Sequence, residues 1–146
     1  MQLFKISAIS LGAAMTLFAN GATIEQMRDE ARKLRDEARQ ASSLLKSKSV
    51  DAKSVLASLD AKEETIAKLR DLAATFEAAG SELTPAQRQQ WDLVKTKIQL
   101  LEVFHGNKKR LAEGDLRKNR GMVRAHADGL AFRAAALEKT LSTLQP

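Results

Sequence analysis

The sequence predicts an all-α protein of four long antiparallel helices, preceded by a short leader. Apolar residues recur at alternating spacings of three and four along most of the chain, the signature of amphipathic helices. Nowhere do β-branched residues alternate with polar ones between turn signals, as a strand would require. Short breaks rich in capping residues divide the chain into segments of helical length. Connections this short make successive helices antiparallel neighbours, as a closed up-down-up-down bundle or as two elongated hairpins.

Residues 1–22 read as a signal peptide, leaving 23–146 as one helical domain. Met1–Lys5 is a short basic region, Ile6–Phe18 an apolar run, and Ala19-Asn20-Gly21-Ala22 supplies small residues for cleavage. As a helix the apolar run would rise only ~20 Å, short of a ~30 Å hydrocarbon core. A periplasmic or secreted protein, exported from a bacterial cell, is the expectation. The chain has no Cys, which excludes disulfides, thiolate metal sites and Cys nucleophiles. An exported domain of this kind must be held by its own core.

The first helix is expected to begin at Thr23, with Gln26 placed for a capping box. Its seam is Ile24, Met27, Ala31, Leu34, Ala38, Ala41 and Leu45, and Ser47-Lys48-Ser49 breaks it. Ser49 or Asp51 would cap the second helix, whose seam runs Ala52, Val55, Leu59, Lys62, Ile66, Leu69, Ala73, Phe76. Gly80 follows where a C′ glycine belongs. The third helix has the clearest start: Thr84 as N-cap, Pro85 in the first position and Gln87 completing a capping box. Trp91, Val94, Ile98, Leu101 and His105 form its core stripe, and Gly106-Asn107 would loosen it before an end near Glu113. Gly114-Asp115 is the expected turn into the fourth helix, where Leu116, Val123, Leu130, Leu137 and Leu144 repeat at sevens. Gly121 and Gly129 each cost this helix about 1 kcal/mol relative to Ala, so its first half should be the weaker.

Charge is distributed unevenly. Thr23–Glu82 carries eleven basic and twelve acidic residues, whereas Leu83–Pro146 carries twelve basic and six acidic. The densest part holds Lys108, Lys109, Arg110, Arg117, Lys118, Arg120 and Arg124, a candidate surface for unfolded or acidic protein clients or anionic envelope components. No nucleic-acid partner is expected, because the setting is extracytoplasmic and no aromatics interleave the charges.

Two features invite a metal or haem reading. Glu102 and His105 have the Glu-x-x-His spacing of di-iron bundles, but His126 has Val123 at the corresponding place. Glu102, His105 and His126 would otherwise surround one divalent ion; the plainer reading is two half-exposed His residues flanking the contact of the last two helices. Met27 resembles in position the haem ligand of four-helix cytochromes, yet Arg133–Pro146 contains no His to complete the pair. Neither metal nor cofactor is expected. No nucleophile–base pair, phosphate loop or paired carboxylates can be placed, so an enzyme is not expected either.

The segment Leu83-Thr84-Pro85-Ala86-Gln87 resembles the LTxxQ motif of the Spy/CpxP family, with Leu83, Thr84 and Gln87 at the motif positions. Family members usually carry two copies, and this chain has one. The resemblance implies a small, helical, periplasmic protein, often dimeric, that acts as an ATP-independent chaperone or senses envelope stress. The competing class is a structural or adaptor protein whose heptad seams serve oligomerisation, including as a homodimer.

Overall fold

A computed structural model describes the backbone of residues 2–107 and 120–144, and side chains from 21 onward. The described residues are helical and contain no strand. The helices are α1 (Gln2–Leu44), α2 (Ala52–Asp60), α3 (Lys62–Ala78), α4 (Pro85–Gly106) and α5 (Arg120–Ser142). None of the described helices is long and apolar enough to cross a membrane.

Four helical rods close into a ring, since α1 packs on α3, α3 on α4, α4 on α5, and α5 back on α1. Cross-helix polar pairs show that each neighbour is antiparallel. Lys68 binds Glu30 at 2.7 Å while Lys62 pairs with Glu37 (α3 on α1). Lys95 reaches Glu77 at 2.7 Å while Arg70 lies 3.9 Å from Glu102 (α3 on α4). Arg35 and Arg32 meet Glu138 at 2.6 and 3.0 Å, and Arg120 meets the Leu45 carbonyl (α1 on α5). Thr143 approaches Gln90 at 3.3 Å while His126 meets His105 (α4 on α5). The closed up-down-up-down bundle, rather than two separate hairpins, is the arrangement formed.

One apolar core runs through the ring, and the seam residues read from the sequence fill it. Met27, Leu34, Leu59, Leu69, Trp91, Leu101, Leu130 and Leu137 are fully enclosed. Met27 is thus a core side chain. Burying a Leu or Met of this kind contributes about 1.5–3 kcal/mol. The many Ala residues on the α1 and α5 seams allow these two helices to approach closely.

Three boundaries differ from expectation. Helix α1 continues unbroken from Gln2, so Thr23 is an internal, buried residue and not an N-cap. No Pro stands between Lys5 and Thr23 to stop the ladder. The second rod is interrupted at Ala61, which separates α2 from α3. The polar seam member follows immediately: Lys62 turns to Glu37 and leaves the core line. The third rod ends at Gly106, short of Glu113; the Gly114-Asp115 turn lies outside the described residues. Elsewhere the capping chemistry is as read. Asp51 accepts from the Lys53 amide at 3.1 Å, and Gly80 takes φ +65°, the left-handed conformation of a C′ glycine.

Candidate functional site

The start of α4 is the best-defined local structure. Thr84 Oγ1 accepts from the Gln87 amide at 3.1 Å, and Gln87 Oε1 accepts from the Thr84 amide at 2.9 Å. Leu83 packs on the core beneath this capping box. One turn later Trp91 lies against Phe76, with ring centroids 4.2 Å apart, and its indole N–H donates to Glu77 at 2.7 Å. Lys95 holds the same carboxylate. Glu77 is therefore kept below the usual carboxylate range, first by the Lys95 bond and then by the indole. The same partnership raises Lys95. These groups order the α3–α4 junction, and LTPAQ is built into it as the N-cap of α4.

The other end of α4 carries a cluster that sequence reasoning placed only in part. His105 and His126 are 1% and 7% exposed, not half-exposed, and His126 Nε2 stands 3.3 Å from His105 Nδ1. One of these nitrogens carries the proton and the other accepts it. The His126 ring stacks on Phe104 at 4.7 Å with planes 4° apart, and the Arg133 guanidinium covers Phe104 at 3.9 Å. Phe104 lies directly over Gly129: a Cβ there would stand 2.5 Å from the end of the ring. The seam pattern located His105 on the core stripe. The expected contact of the last two helices also held His126, and both rings are seated inside that contact, with His126 one residue before seam position Ala127.

Glu102 does not join the two imidazoles as a third ligand; it turns towards Arg70. Among the described residues, no group of three His, Asp or Glu side chains is arranged to hold a metal ion. His105 and Glu102 instead help line an open cleft of about 330 Å³ with Glu63, Ile66, Ala67 and Arg70 of α3. The cleft mixes two carboxylates, a guanidinium and an apolar floor.

The basic surface divides. Lys108, Lys109, Arg110, Arg117 and Lys118 lie outside the described residues. Arg124 is exposed on α5. Arg120 is not a free surface cation: its guanidinium donates to the carbonyls of Leu45, at 3.1 and 3.0 Å, of Val50, at 2.6 Å, and of Ser47. It pins the α1–α2 connection to the start of α5.

Apolar exposure is concentrated on the same pair of helices. Of the six large hydrophobic residues exposed among the described ones, Leu93, Leu100 and Val103 lie on α4, Met122 and Phe132 on α5, and only Leu44 elsewhere. Every exposed residue of α4 from Leu93 onward is uncharged: Leu93, Thr96, Gln99, Leu100, Val103 and Gly106. On α1, by contrast, the exposed positions include the charged residues Glu25, Asp29, Arg32, Lys33, Asp36 and Arg39. Spacing sets Leu93 and Leu100 beside the core stripe of α4, where they would widen its apolar face. They stand instead on its outer side, with Phe132 75% exposed on the neighbouring helix. Comparison with family models, with curated proteins and with solved structures finds no match for this chain.

Proposed function

We propose that this chain is an exported, non-enzymatic binding protein whose α4–α5 hairpin takes up acidic, unfolded polypeptide clients. The observation that carries the reading is the one-sided apolar exposure: among the described residues, five of the six large exposed hydrophobics lie on α4 and α5. An apolar patch on an otherwise charged surface is the physical mark of an interaction site. The basic residues Lys108, Lys109, Arg110, Arg117 and Lys118 lie in the sequence between α4 and α5. Unfolded chains offer apolar side chains along an extended backbone, and acidic ones add attraction to Lys and Arg. The signal-peptide pattern and the LTxxQ resemblance agree with such a role in the envelope.

The test is aggregation suppression of an acidic unfolding client at about 50 and about 300 mM salt, a range over which screening becomes strong. Replacing Leu100, Val103 and Phe132 by Asn should abolish suppression at both salts without lowering stability, because these side chains are exposed. Exchanging Lys108, Lys109, Arg117 and Lys118 for Gln should reproduce the high-salt loss. Full activity in the apolar variant would refute the reading. Vesicles of anionic phospholipid that bind while the client does not would identify a lipid surface as the partner. A concentration-dependent dimer, dissolved by the apolar variant, would favour the adaptor class.

A further inference from the structure

We infer that the outer side of α4, with the adjoining surface of α5, is a seat for an acidic amphipathic helix, so that a client segment is held there in helical form. The inference rests on the client-binding reading above and adds the shape and chemistry of the segment recognised.

Helix α4 carries apolar rows on two opposite sides. Its buried stripe is Trp91, Val94, Ile98, Leu101 and His105. Two residues on from the first four come Leu93, Thr96, Leu100 and Val103, and a step of two residues turns about 200° around a helix. This second row repeats the three-four spacing of the first and carries no charge. Leu93, Leu100 and Val103 are 44, 56 and 67% exposed, so the bundle leaves the row open. Phe132 stands beside it. Phe104 lies over Gly129 and under Arg133 while Gln90 meets Thr143, which sets Phe132 within about a turn of Leu100.

A row at this spacing selects the conformation of what covers it. A partner helix lying along α4 brings side chains to the row every three or four residues and interlocks with it as in a coiled coil. Its backbone groups are bonded within the helix. An extended segment in the same place would press N–H and C=O groups onto Leu, Val and Phe side chains, which offer them no partner. Extended ligands find those partners on a sheet edge, and the described residues contain no strand. From Leu93 to Val103 the row is ~15 Å long, the rise of about three helical turns.

Charge beside the row fixes the sign of the partner. Lys97 is midway between Gln90 and Phe104, both of which touch α5, so it lies where the row adjoins that helix. Arg133 covers Phe104 from the α5 side, and Lys139 follows Phe132 by one heptad on the exposed side of α5. The carboxylates of α4 turn away from this border: Asp92 lies 3.4 Å from Lys95, and Glu102 is directed to Arg70 of α3. On the exposed side of α5 the acidic residue is Asp128. The local balance is positive, and it complements acidic residues flanking the partner's apolar stripe.

The test uses the full chain and three labelled peptides, each of about 18 residues. In the first, Leu recurs at spacings of three and four among Glu and Ala. The second has the same composition with Leu and Glu alternating, and the third is the first with a central Pro that breaks its helix. Fluorescence anisotropy at about 50 mM salt should show the first peptide bound about tenfold tighter than either control, and its backbone chemical shifts should become fully helical on binding. L93N/L100N, altered only at exposed positions, should weaken that binding about tenfold at both low and high salt. K97Q/K139Q should weaken it at low salt only, where screening is least. Should L93N/L100N not fold, the peptide comparison in wild type decides alone. Equal binding of the first two peptides, with aggregation suppression intact, would overturn the helical seat and leave client binding standing. So would an acidic client held by a chain that binds none of the peptides. If neither client nor peptide binds, both readings fall. A dimer in sedimentation that L93N/L100N dissolves would show the row covered by a second copy, and would overturn the inference as well.

Discussion

Arg120 offers the sharpest quantitative test of the packing. Replacing it by Met keeps the stem and removes the fork that bonds the carbonyls of Leu45, Ser47 and Val50. Hydrogen bonds from a charged donor contribute about 1.5–3 kcal/mol each when shielded. Arg120 is only partly buried, so water would replace part of the loss; crediting two contacts and halving them leaves ~1.5–3 kcal/mol. A cation at the C-terminal end of α1 adds about 0.3–1 kcal/mol through the helix dipole. Urea unfolding should therefore show R120M destabilised by ~2–4 kcal/mol on these grounds. Arg120→Lys should fall between, since an ammonium keeps the charge but cannot fork across three carbonyls. Arg124→Gln, an exposed neighbour, should stay within about 0.5 kcal/mol of wild type. A loss below ~0.5 kcal/mol for R120M would mean that water serves these carbonyls as well, and the pin would have to be abandoned.

The two helical glycines of α5 should behave oppositely. Gly121 has open space around its Cα, so Gly121→Ala should stabilise by about 1 kcal/mol in a thermal or urea melt. Gly129→Ala drives a methyl into the Phe104 ring; it should lose that gain and displace the ring-current shift of His126, read by NMR. At the other end of α4, Glu77→Gln should lower stability by about 0.5–1 kcal/mol at neutral pH, given its exposure, and shift Trp91 fluorescence. Because the folded Glu77 carboxyl lies below its ordinary value of about 4.3, its contribution is fully present above that pH. It is lost as pH falls through the lower folded value, so the acid limb of the E77Q stability curve should be shallower than wild type.

Much of the bundle was legible because a heptad seam reports which side of a helix turns inward. Ile24 to Leu45, Leu69, Trp91 to Leu101 and Val123 to Leu144 were placed on the core by spacing alone, and that is where they are buried. Caps were equally legible at Thr84, Asp51 and Gly80, since their chemistry is local. What spacing does not report is the vertical register between two seams. That register alone brings His126 to His105, Arg120 to the Leu45 carbonyl and Phe104 over Gly129. A glycine read as a weak point of α5 is thus a seat for a ring, and an arginine counted among surface charges is a structural tie. Leu93 and Leu100 show a second limit. Apolar residues beside a seam widen the buried face only where a neighbouring helix reaches them, and composition does not say where that happens.

The two ends of the bundle are held by different physics. Near the α3–α4 junction, Trp91 and Phe76 are packed ring on ring, the capping box closes the turn, and Glu77 ties Trp91 to Lys95. Aromatic burial there is insensitive to pH apart from one exposed carboxylate. Near the start of α5 the ties are a guanidinium on loop carbonyls and an imidazole on an imidazole. Polar ties of this kind give less net stability than apolar packing of the same volume, and they depend strongly on protonation and partner geometry. This end is also the one next to which the exposed Val103 and Met122 stand.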